Sequence, residues 1–295
     1  MKDRIIRGTA AGGELRFFAA ITTQIVEEAR KIHNTTPVAS AALGRMMTAA
    51  SMMGTMLKND RDRLTVQING GGEAGQIVTV SDNKGNVKGY ISNPNIARPL
   101  NAEGKLDVGG AVGTDGRLTV IRDLGLKEPY VGYVPIISGE IAEDITYYFA
   151  SSEQVPSAVA LGVLVDTDNS VVAAGGFMIQ AMPEASEFTR DILEFRLDEI
   201  PPVTQMIKDG GKAEDIIAEL LDGMDPKIQE EYEPEFICDC SKKKVERLLL
   251  SLGHEELESM EKEEKETEVV CHFCNTKYHF SQKDIRELKE SGLNQ

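Results

Sequence analysis

The sequence predicts an α+β fold of antiparallel sheets with covering helices, followed by a helical linker region and a small C-terminal domain. Short apolar segments separated by tight turns rich in Asp, Asn and Gly imply antiparallel strand pairing. Apolar residues at three- and four-residue spacing predict the covering helices. All four cysteines of the 295-residue chain follow residue 237. We therefore expect an N-terminal α+β core domain at 1–182, a helical linker region at 183–232 and a C-terminal domain at 233–295.

The first predicted helices lie near the N-terminus. Apolar residues recur at helical spacing from Leu15 to Ile32, which predicts one amphipathic helix. Thr36 followed by Pro37 is typical of an N-cap and the first position of a helix. A second helix is expected over 38–58. Its methionines suit either a promiscuous apolar surface or a buried core, and we favour the core. They are Met46, Met47, Met52, Met53 and Met56.

The predicted strands fill the middle of the core domain. Alternation at 64–68 and the paired apolar runs around the turns at 82–86, 114–116 and 166–170 indicate hairpins. The strands flanking those turns are expected at 77–80, 87–91, 111–112, 118–121, 158–165 and 171–179. The core domain is therefore expected to contain sheets built from sequential hairpins.

The linker region differs from the core domain in its sequence pattern, which is more charged and more often interrupted by Pro and Gly. Three short charged helices are predicted at 187–200, 203–208 and 213–221, interrupted by Pro201-Pro202 and Gly210-Gly211. An acidic, extended link follows at 225–235. We expect this region to be marginally stable and to cover another apolar face when it is folded. The residues expected to do so are Phe188, Ile192, Leu193, Phe195, Leu197, Ile200, Met206, Ile207, Ile216, Ile217, Leu220 and Leu221.

The charge balance excludes some classes of partner. The formal net charge of −16 repels phosphate backbones and anionic membranes, so neither nucleic acid nor a membrane is an expected partner. The N-terminal residues lack the apolar core of a signal peptide, and no run approaches the roughly 18 apolar residues that span a bilayer. Cysteines are absent from the first 237 residues, unlike a secreted disulfide framework. A cytoplasmic location is expected.

The cysteines form the sharpest motif in the chain. Cys238-Asp239-Cys240 is followed, after residues 241–270, by Cys271-His272-Phe273-Cys274. Two close pairs with this spacing are typical of a tetrahedral zinc site with four thiolate ligands. One zinc ion is therefore expected, and the nearby histidines His254, His272 and His279 are not expected among its ligands. Four thiolates leave no open position for a catalytic water, which argues against a zinc hydrolase.

The cysteine motif alone is compatible with two interpretations of this zinc site. The first is a closed structural site that only holds the small domain folded. The second is a redox switch, because each close pair can form a disulfide and thiolates are the form that oxidants attack. A polar domain of about sixty residues has little core of its own, so its stability would depend on roughly 10–16 kcal/mol of metal binding.

Two further classes compete with a regulatory role. A zinc ribbon that binds nucleic acid is suggested by the basic run Lys242–Lys244, but residues 234–295 contain ten basic and fourteen acidic side chains. A thiol oxidoreductase would place Cys271-x-x-Cys274 at a helix start beside a βαβ unit, which the pattern lacks. The glycines at 70–72 lack the Lys-Ser/Thr of a phosphate-binding loop. No enzyme activity is expected.

Long segments of the chain resemble a known family. The four cysteines lie in two of these segments, FICDCSKKKVERLLLSLG and VVCHFCNTKYHF. The other matching segments are HNTTPVASAALGRMMTAASMMG, LTVQINGGG, GNVKGYISNP, LTVIRDLGLKEPYVG, SGEIAEDITYYFASSEQVPSAVALGVLV and AAGGFMIQAMP. The chain resembles, over nearly its whole length, the bacterial 33 kDa chaperonin family of redox-regulated heat-shock holdases. No departure from the family pattern occurs at the cysteines.

The resemblance implies a function and a mechanism. It implies an ATP-independent chaperone that is inactive with zinc on four reduced cysteines. It further implies that oxidation forms the disulfides Cys238–Cys240 and Cys271–Cys274, releases zinc, unfolds the linker region and promotes a homodimer. Its implied partners are unfolded or partly folded client proteins, which it keeps from aggregating under oxidative and heat stress. We hypothesise that clients bind where the unfolded linker region exposes apolar surface.

Overall fold

The computed structural model describes residues 2–263 and 266–292, which form two compact units, Met1–Ile237 and Cys238–Gln295. The strands are β1 Arg4–Ala10, β2 Leu15–Ile21, β3 Arg63–Asn69, β4 Ile77–Ser81, β5 Val87–Ile91, β6 Arg117–Asp123, β7 Tyr130–Pro135, β8 Ser157–Val165, β9 Val171–Ala181, β10 Lys227–Tyr232, β11 Thr267–Val270 and β12 Lys277–Phe280. The helices are α1 Thr23–His33, α2 Pro37–Gly54, α3 Val108–Val112, α4 Ala142–Tyr148, α5 Glu187–Glu199, α6 Val203–Lys208, α7 Ala213–Leu220, α8 Lys242–Ser251, α9 His254–Lys262 and α10 Gln282–Gly292.

Antiparallel pairing organises all the sheets that the described residues form. The first unit contains one sheet in the order β10-β1-β2-β9-β8 and another in the order β5-β4-β3-β6-β7. The second unit contains the two-stranded sheet β11-β12. The predicted α+β fold of antiparallel sheets with covering helices is confirmed.

The first sheet is covered on both faces, because successive side chains of a strand point to opposite sides. Phe18 and Ala20 of β2 belong to the core that also contains α1 and α2. Phe17 and Ala19, on the other face, pack with residues of α5, α6 and α7. Helix α2 is buried on nearly every side, and Met46, Met47, Met52 and Met53 lie in the core, with Met56 packed against it. The core interpretation of the methionines is confirmed.

The helices of residues 183–232 cover an apolar face of the first sheet, as predicted. These helices and that face of the sheet form one apolar cluster. Most of the predicted residues are buried in this cluster or packed against it, namely Ile192, Leu193, Leu197, Ile200, Met206, Ile207, Ile216, Ile217, Leu220 and Leu221. The prediction is wrong for Phe188 and Phe195, which are 73% and 59% exposed. They lie seven residues apart on α5, two turns along its outer side, whereas Leu193 lies in the buried cluster beneath the helices.

Two sequence-based assignments are wrong. The helix predicted from Leu15 to Ile32 divides into strand β2, Thr22 and helix α1. The strand predicted at 111–112 is the end of α3, whose N-cap Asp107 accepts a hydrogen bond from the Gly110 amide at 3.0 Å. The acidic segment at 225–235 is extended as predicted, and within it Lys227–Tyr232 also forms β10, which pairs with β1. The division at 1–182, 183–232 and 233–295 stays a prediction.

The edge strand β10 is held to β1 by charge as well as by backbone pairing. Arg4 forms ion pairs with Glu231 at 2.5 Å and with Glu214 of α7 at 3.2 Å. Arg7 pairs with Glu230 at 2.5 Å, and its guanidinium lies 5.8 Å from the centre of the Tyr232 ring. These pairs are partly exposed, so each contributes about 1 kcal/mol or less. The charged strand is therefore attached by contacts that are individually weak.

Asp3 is a buried carboxylate at the start of α1, and it predicts a pH dependence of stability. Its oxygens accept hydrogen bonds from the amides of Gln24 at 3.0 Å and Ile25 at 2.7 Å. Burial, partly offset by these hydrogen bonds, raises the pKa of Asp3 to about 6. Because the folded pKa is raised above its usual value of 3.8, the stabilisation of the folded state by protonated Asp3 is complete at low pH and is lost as the pH rises through about 6.

We expect Asp3→Asn to remove this contribution to the pH dependence. Between pH 4 and pH 7 the free energy of unfolding of the parent chain should fall by about 2.4 kcal/mol more than that of the variant. Urea unfolding of both chains across this range measures the difference, with the exposed Asp115→Asn as control. Parallel curves for the parent chain and Asp3→Asn would contradict the assignment.

Candidate metal centre

The structure brings the four cysteine sulfurs of the second unit into one cluster. Cys238 Sγ lies 3.7 Å from Cys271 Sγ, and Cys240 Sγ lies 3.3 Å from Cys274 Sγ. All four sulfurs lie within 4.8 Å of one another, and none is in a disulfide. Within the described residues, this cluster is the group of Cys, His, Asp and Glu side chains whose geometry suits a metal ion.

The second cysteine pair lies on the turn between β11 and β12. The amide of Cys271 donates to the carbonyl of Thr276 at 2.9 Å, and the amide of Asn275 donates to the carbonyl of Cys271 at 2.8 Å. Asn275 has a left-handed φ of 56°, a conformation that asparagine tolerates better than most residues. This tight turn directs the Cys271 and Cys274 sulfurs to the same cluster.

The first cysteine pair lies immediately before α8. Ser241 is the N-cap of that helix, and its hydroxyl accepts a hydrogen bond from the Lys244 amide at 3.3 Å. The Lys244 ammonium also forms an ion pair with Asp239, between the two cysteines. The start of α8 therefore fixes the chain next to Cys240.

Hydrogen bonds from the hairpin reach the sulfurs. The Tyr278 hydroxyl donates to Cys240 Sγ at 3.1 Å, and Cys274 Sγ lies 3.2 Å from Thr276 Oγ1. The hydrogen bond with Cys240, followed by burial, raises the pKa of Tyr278 to about 12, so its hydroxyl stays protonated as a donor. Burial raises the pKa of Cys238 and Cys271. Burial opposes ionisation of Cys274 too, but hydrogen bonds with Thr276 lower its pKa to about 7.

These residues fit a zinc ion. A tetrahedron with Zn–S bonds of about 2.3 Å has edges of about 3.8 Å, close to the measured sulfur separations of 3.7 and 3.3 Å. The four cysteines would hold the ion, which when bound would keep the sulfurs as thiolates and add folding free energy to the unit. His279 instead lies 3.6 Å from Glu266 and 3.7 Å from Glu268.

The second unit has few other sources of stability. Among the residues that the structure describes, its core consists of five buried side chains, Val245, Leu249, Leu257, Phe280 and Ile285. Glu261 of α9 adds ion pairs with Arg286 at 2.8 Å and Lys289 at 2.5 Å of α10. A core of this size is marginal for an independent unit of this length. The cysteine cluster is therefore placed where a bound ion would have a large effect on folding.

Comparison with known proteins identifies the family. A family model described as Hsp33 protein matches residues 3–281. The 33 kDa chaperonin of Clostridium botulinum strain Eklund 17B is 55% identical over 293 residues, covering 99% of each chain. That of Clostridium perfringens strain 13 is 56% identical over 291 residues, covering 98% of this chain and 91% of the relative. The chain belongs to the Hsp33 family. It is a chaperone of the Hsp33 type.

A solved structure of an Hsp33 protein shares the whole fold. The crystal structure of the 33 kDa chaperonin of Thermotoga maritima is 38% identical, has a TM-score of 0.91 and covers 100% of both chains. The family resemblance predicted from the sequence blocks is confirmed. Among the described residues of this Hsp33 chain, no helix has the length and apolar character needed to cross a membrane.

The sequence pattern located the four cysteines but missed the groups around them. Thr276 and Tyr278 contact the sulfurs from the turn and from β12, at no fixed spacing that a motif would show. The alternation of β12 was the available signal, because Tyr278 and Phe280 must share one face of that strand.

We expect Tyr278→Phe to weaken zinc binding by about tenfold or more, because it removes a hydrogen bond to a proposed ligand sulfur. Competition with a chelator of known affinity measures the change. Tyr133→Phe alters an exposed tyrosine in the first unit and is the matched control. Equal zinc affinity in Tyr278→Phe and the parent chain would show that the hydrogen bond does not support the site.

Proposed function

We propose that this chain is a redox-regulated, ATP-independent holdase. In the reduced state Cys238, Cys240, Cys271 and Cys274 hold one zinc ion and the chaperone is inactive. Oxidation of these cysteines activates it to bind unfolding proteins and to prevent their aggregation under oxidative and heat stress. The observation that carries the proposal is the meeting of four sulfurs within 4.8 Å in a unit with a core of five buried residues.

The switching step is a balanced thiol oxidation. Two cysteines lose two electrons and two protons and form one disulfide, while one peroxide accepts them and becomes two waters. The complete switch therefore consumes two peroxides per chain. Oxidised sulfurs no longer hold the ion, and the second unit loses the contribution of metal binding to its stability.

We propose that the disulfides form within each close pair, Cys238–Cys240 and Cys271–Cys274. In the folded unit, sulfur contacts join the two pairs across the cluster, Cys238 with Cys271 and Cys240 with Cys274. Those contacts close loops of more than thirty residues, which become entropically costly once the unit unfolds. Cysteines two or three positions apart stay close in the unfolded chain, so unfolding favours pairing within each turn.

We further propose that clients bind the first sheet and the elements that cover it, α5, α6, α7 and β10. Helices α5, α6 and α7 bury apolar residues of β1, β2 and β9, including Phe17 and Phe177. The cover is built from helices of six to thirteen residues and from the weakly attached strand β10. Its detachment would expose two complementary apolar surfaces. Unfolded clients present apolar side chains, so either surface would bind them without sequence specificity.

The chain itself connects the cysteines to this cover, because β10 ends at Tyr232, shortly before Cys238. The amide of Val87 donates to the carbonyl of Glu235 at 3.0 Å, and the amide of Ile237 donates to the carbonyl of Val87 at 3.2 Å. These hydrogen bonds hold the residues directly before Cys238, and β10 lies a few residues earlier. We propose that, once the second unit has unfolded, these hydrogen bonds can break. The cover is then in equilibrium with an open state in which it is detached from the first sheet.

We propose a homodimer in the activated state, a cytoplasmic location and no enzyme activity, with neither nucleic acid nor membrane as partner. The zinc-ribbon alternative gains no support from the basic run after Cys240. Lys244 pairs with Asp239, and Lys242 lies 5.1 Å from the centre of the Phe280 ring.

Zinc content and holding activity measured together test the proposal. The reduced chain and the chain treated with mild peroxide and gentle heat are compared for bound zinc and for suppression of the thermal aggregation of an unrelated protein. We expect loss of about one zinc per chain together with a gain of holding activity. Retained zinc, or zinc loss with no gain of activity, would contradict the redox switch and leave a structural zinc site.

A further inference from the structure

A cleft of about 400 Å³ opens in the first unit where the two large sheets approach each other. Arg16 and Gln180 come from the first sheet, and Leu64 and Arg122 come from the second. Much of the remaining wall is apolar and is formed by Met53, Met56, Leu57, Leu124, Phe149 and Val155. A cavity of this volume falls in the range of small-molecule sites, about 300–1,000 Å³.

Arg16 is a positioned cation in this cleft. Gln180 is fully buried, and its side-chain oxygen accepts hydrogen bonds from Arg16 Nε at 3.1 Å and Nη2 at 2.5 Å. The Gln180 amide in turn donates to Ser157 Oγ at 3.1 Å. The guanidinium carbon lies 5.4 Å from the centre of the Phe18 ring. These contacts fix the guanidinium and leave Nη1 with no acceptor among the described residues.

The charge of Arg16 is not matched by an acid. In the part of the chain that the structure describes, no carboxylate lies within ion-pair distance of it. Arg122 is neutralised by Glu153, with Nη2 and Nη1 at 2.8 and 3.1 Å from its oxygens. Asp62 is engaged by the amide of Asn59 at 3.0 Å. Burial, followed by repulsion from Arg7, lowers the pKa of Arg16, as expected for an uncompensated cation. Lys58 adds an exposed cation at the rim.

We propose that this cleft binds a small amphipathic anion, one carboxylate on an apolar body such as a medium-chain fatty acid. The carboxylate pairs with the Arg16 guanidinium and with Lys58, and the apolar body lies against the methionines, Leu124 and Phe149. A charge-assisted hydrogen bond to a fixed guanidinium gives the site its selectivity for anions. Methionine side chains adapt their shape, which suits a flexible hydrocarbon. This site is separate from the cysteine cluster and does not depend on the proposed redox switch.

Titration of the full-length, reduced and zinc-loaded chain with decanoate tests the proposal. Below the micelle concentration of decanoate, calorimetry should show saturable binding to one site per chain. Decanol, which lacks the charge, and acetate, which lacks the apolar body, should each bind at least about tenfold more weakly. Binding of decanol as tight as that of decanoate would overturn the assignment, and so would the absence of saturable decanoate binding.

Substitutions locate the site. Arg16→Gln should weaken decanoate binding by about tenfold to a hundredfold, because a hydrogen bond between two charged groups is lost. Lys58→Gln and Leu124→Ser change partly exposed rim residues that should not affect folding, and each should weaken binding by about threefold or more. Lys31→Gln, on the exposed side of α1, is the control. If Arg16→Gln does not fold, the two rim variants decide. Unchanged affinity in both would overturn the site.

Discussion

Cys271→Ser is expected to unfold residues 238–292 under reducing conditions, while α2 and β3 of the first unit stay folded. A hydroxyl is a poor zinc ligand, and a structural zinc site typically contributes about 10–16 kcal/mol of apparent binding free energy. The five buried core residues and the ion pairs of Glu261 must offset the conformational entropy of the whole unit, so little net stability remains without the ion. Zinc content and amide hydrogen exchange of the reduced variant measure the effect.

The matched control for this substitution is Ser241→Ala. It removes the N-cap of α8 next to Cys240 and should cost only about 1 kcal/mol, leaving zinc bound and the unit folded. Native-like protection of α8 and α10 in zinc-free Cys271→Ser would contradict the claim that the cysteine cluster holds the second unit together. Equal unfolding by Ser241→Ala would show that the unit is marginal for reasons other than the metal.

Leu220→Ala is expected to give holding activity in the reduced chain with zinc still bound. Leu220 of α7 is fully buried against the first sheet, and truncation of such a leucine costs about 2–5 kcal/mol. The truncation destabilises the cover, which is formed by short helices, and not the sheet beneath it. If the covered face binds clients, loosening the cover bypasses the oxidation step. Suppression of the thermal aggregation of an unrelated protein measures the activity.

Phe188→Ala is the control for the cover. Phe188 is 73% exposed on the outer side of α5, so its truncation removes apolar area from the surface without opening the covered face. We expect the reduced Phe188→Ala chain to stay inactive. A reduced Leu220→Ala chain that is destabilised in this region but has no holding activity would place the client surface elsewhere.

The sequence predicted those parts of the fold in which local pattern and burial agree. Strand β3 alternates between buried and partly exposed residues, and the hairpin β4-β5 surrounds a turn with the expected Asp, Asn and Gly. Strand β2 gave no such signal, because both faces of its sheet are covered and LRFFAAI is almost entirely apolar. A continuous apolar run followed by α1 cannot be told from one helix by periodicity alone.

Strand β10 was missed for the opposite reason. KIQEEY has one aliphatic residue, and it forms a strand because β1 offers a free edge and the cations Arg4 and Arg7. That is a long-range cause, invisible in the local sequence. The cysteine cluster was predictable because metal chemistry restricts ligand type and spacing. The anion site was not, since Arg16, Gln180 and Lys58 are brought together by the tertiary fold alone.

Amide hydrogen exchange before and after peroxide treatment tests the central claim most directly. We predict that residues 187–232 and 238–292 lose protection on oxidation, while α2 and β3 keep theirs, and that exchange and holding activity rise together. We further predict that amides of the newly exposed β1 edge, which pair with β10 in the reduced chain, begin to exchange. Full protection of α5, α6, α7 and β10 in an oxidised chain that is active as a holdase would contradict this claim.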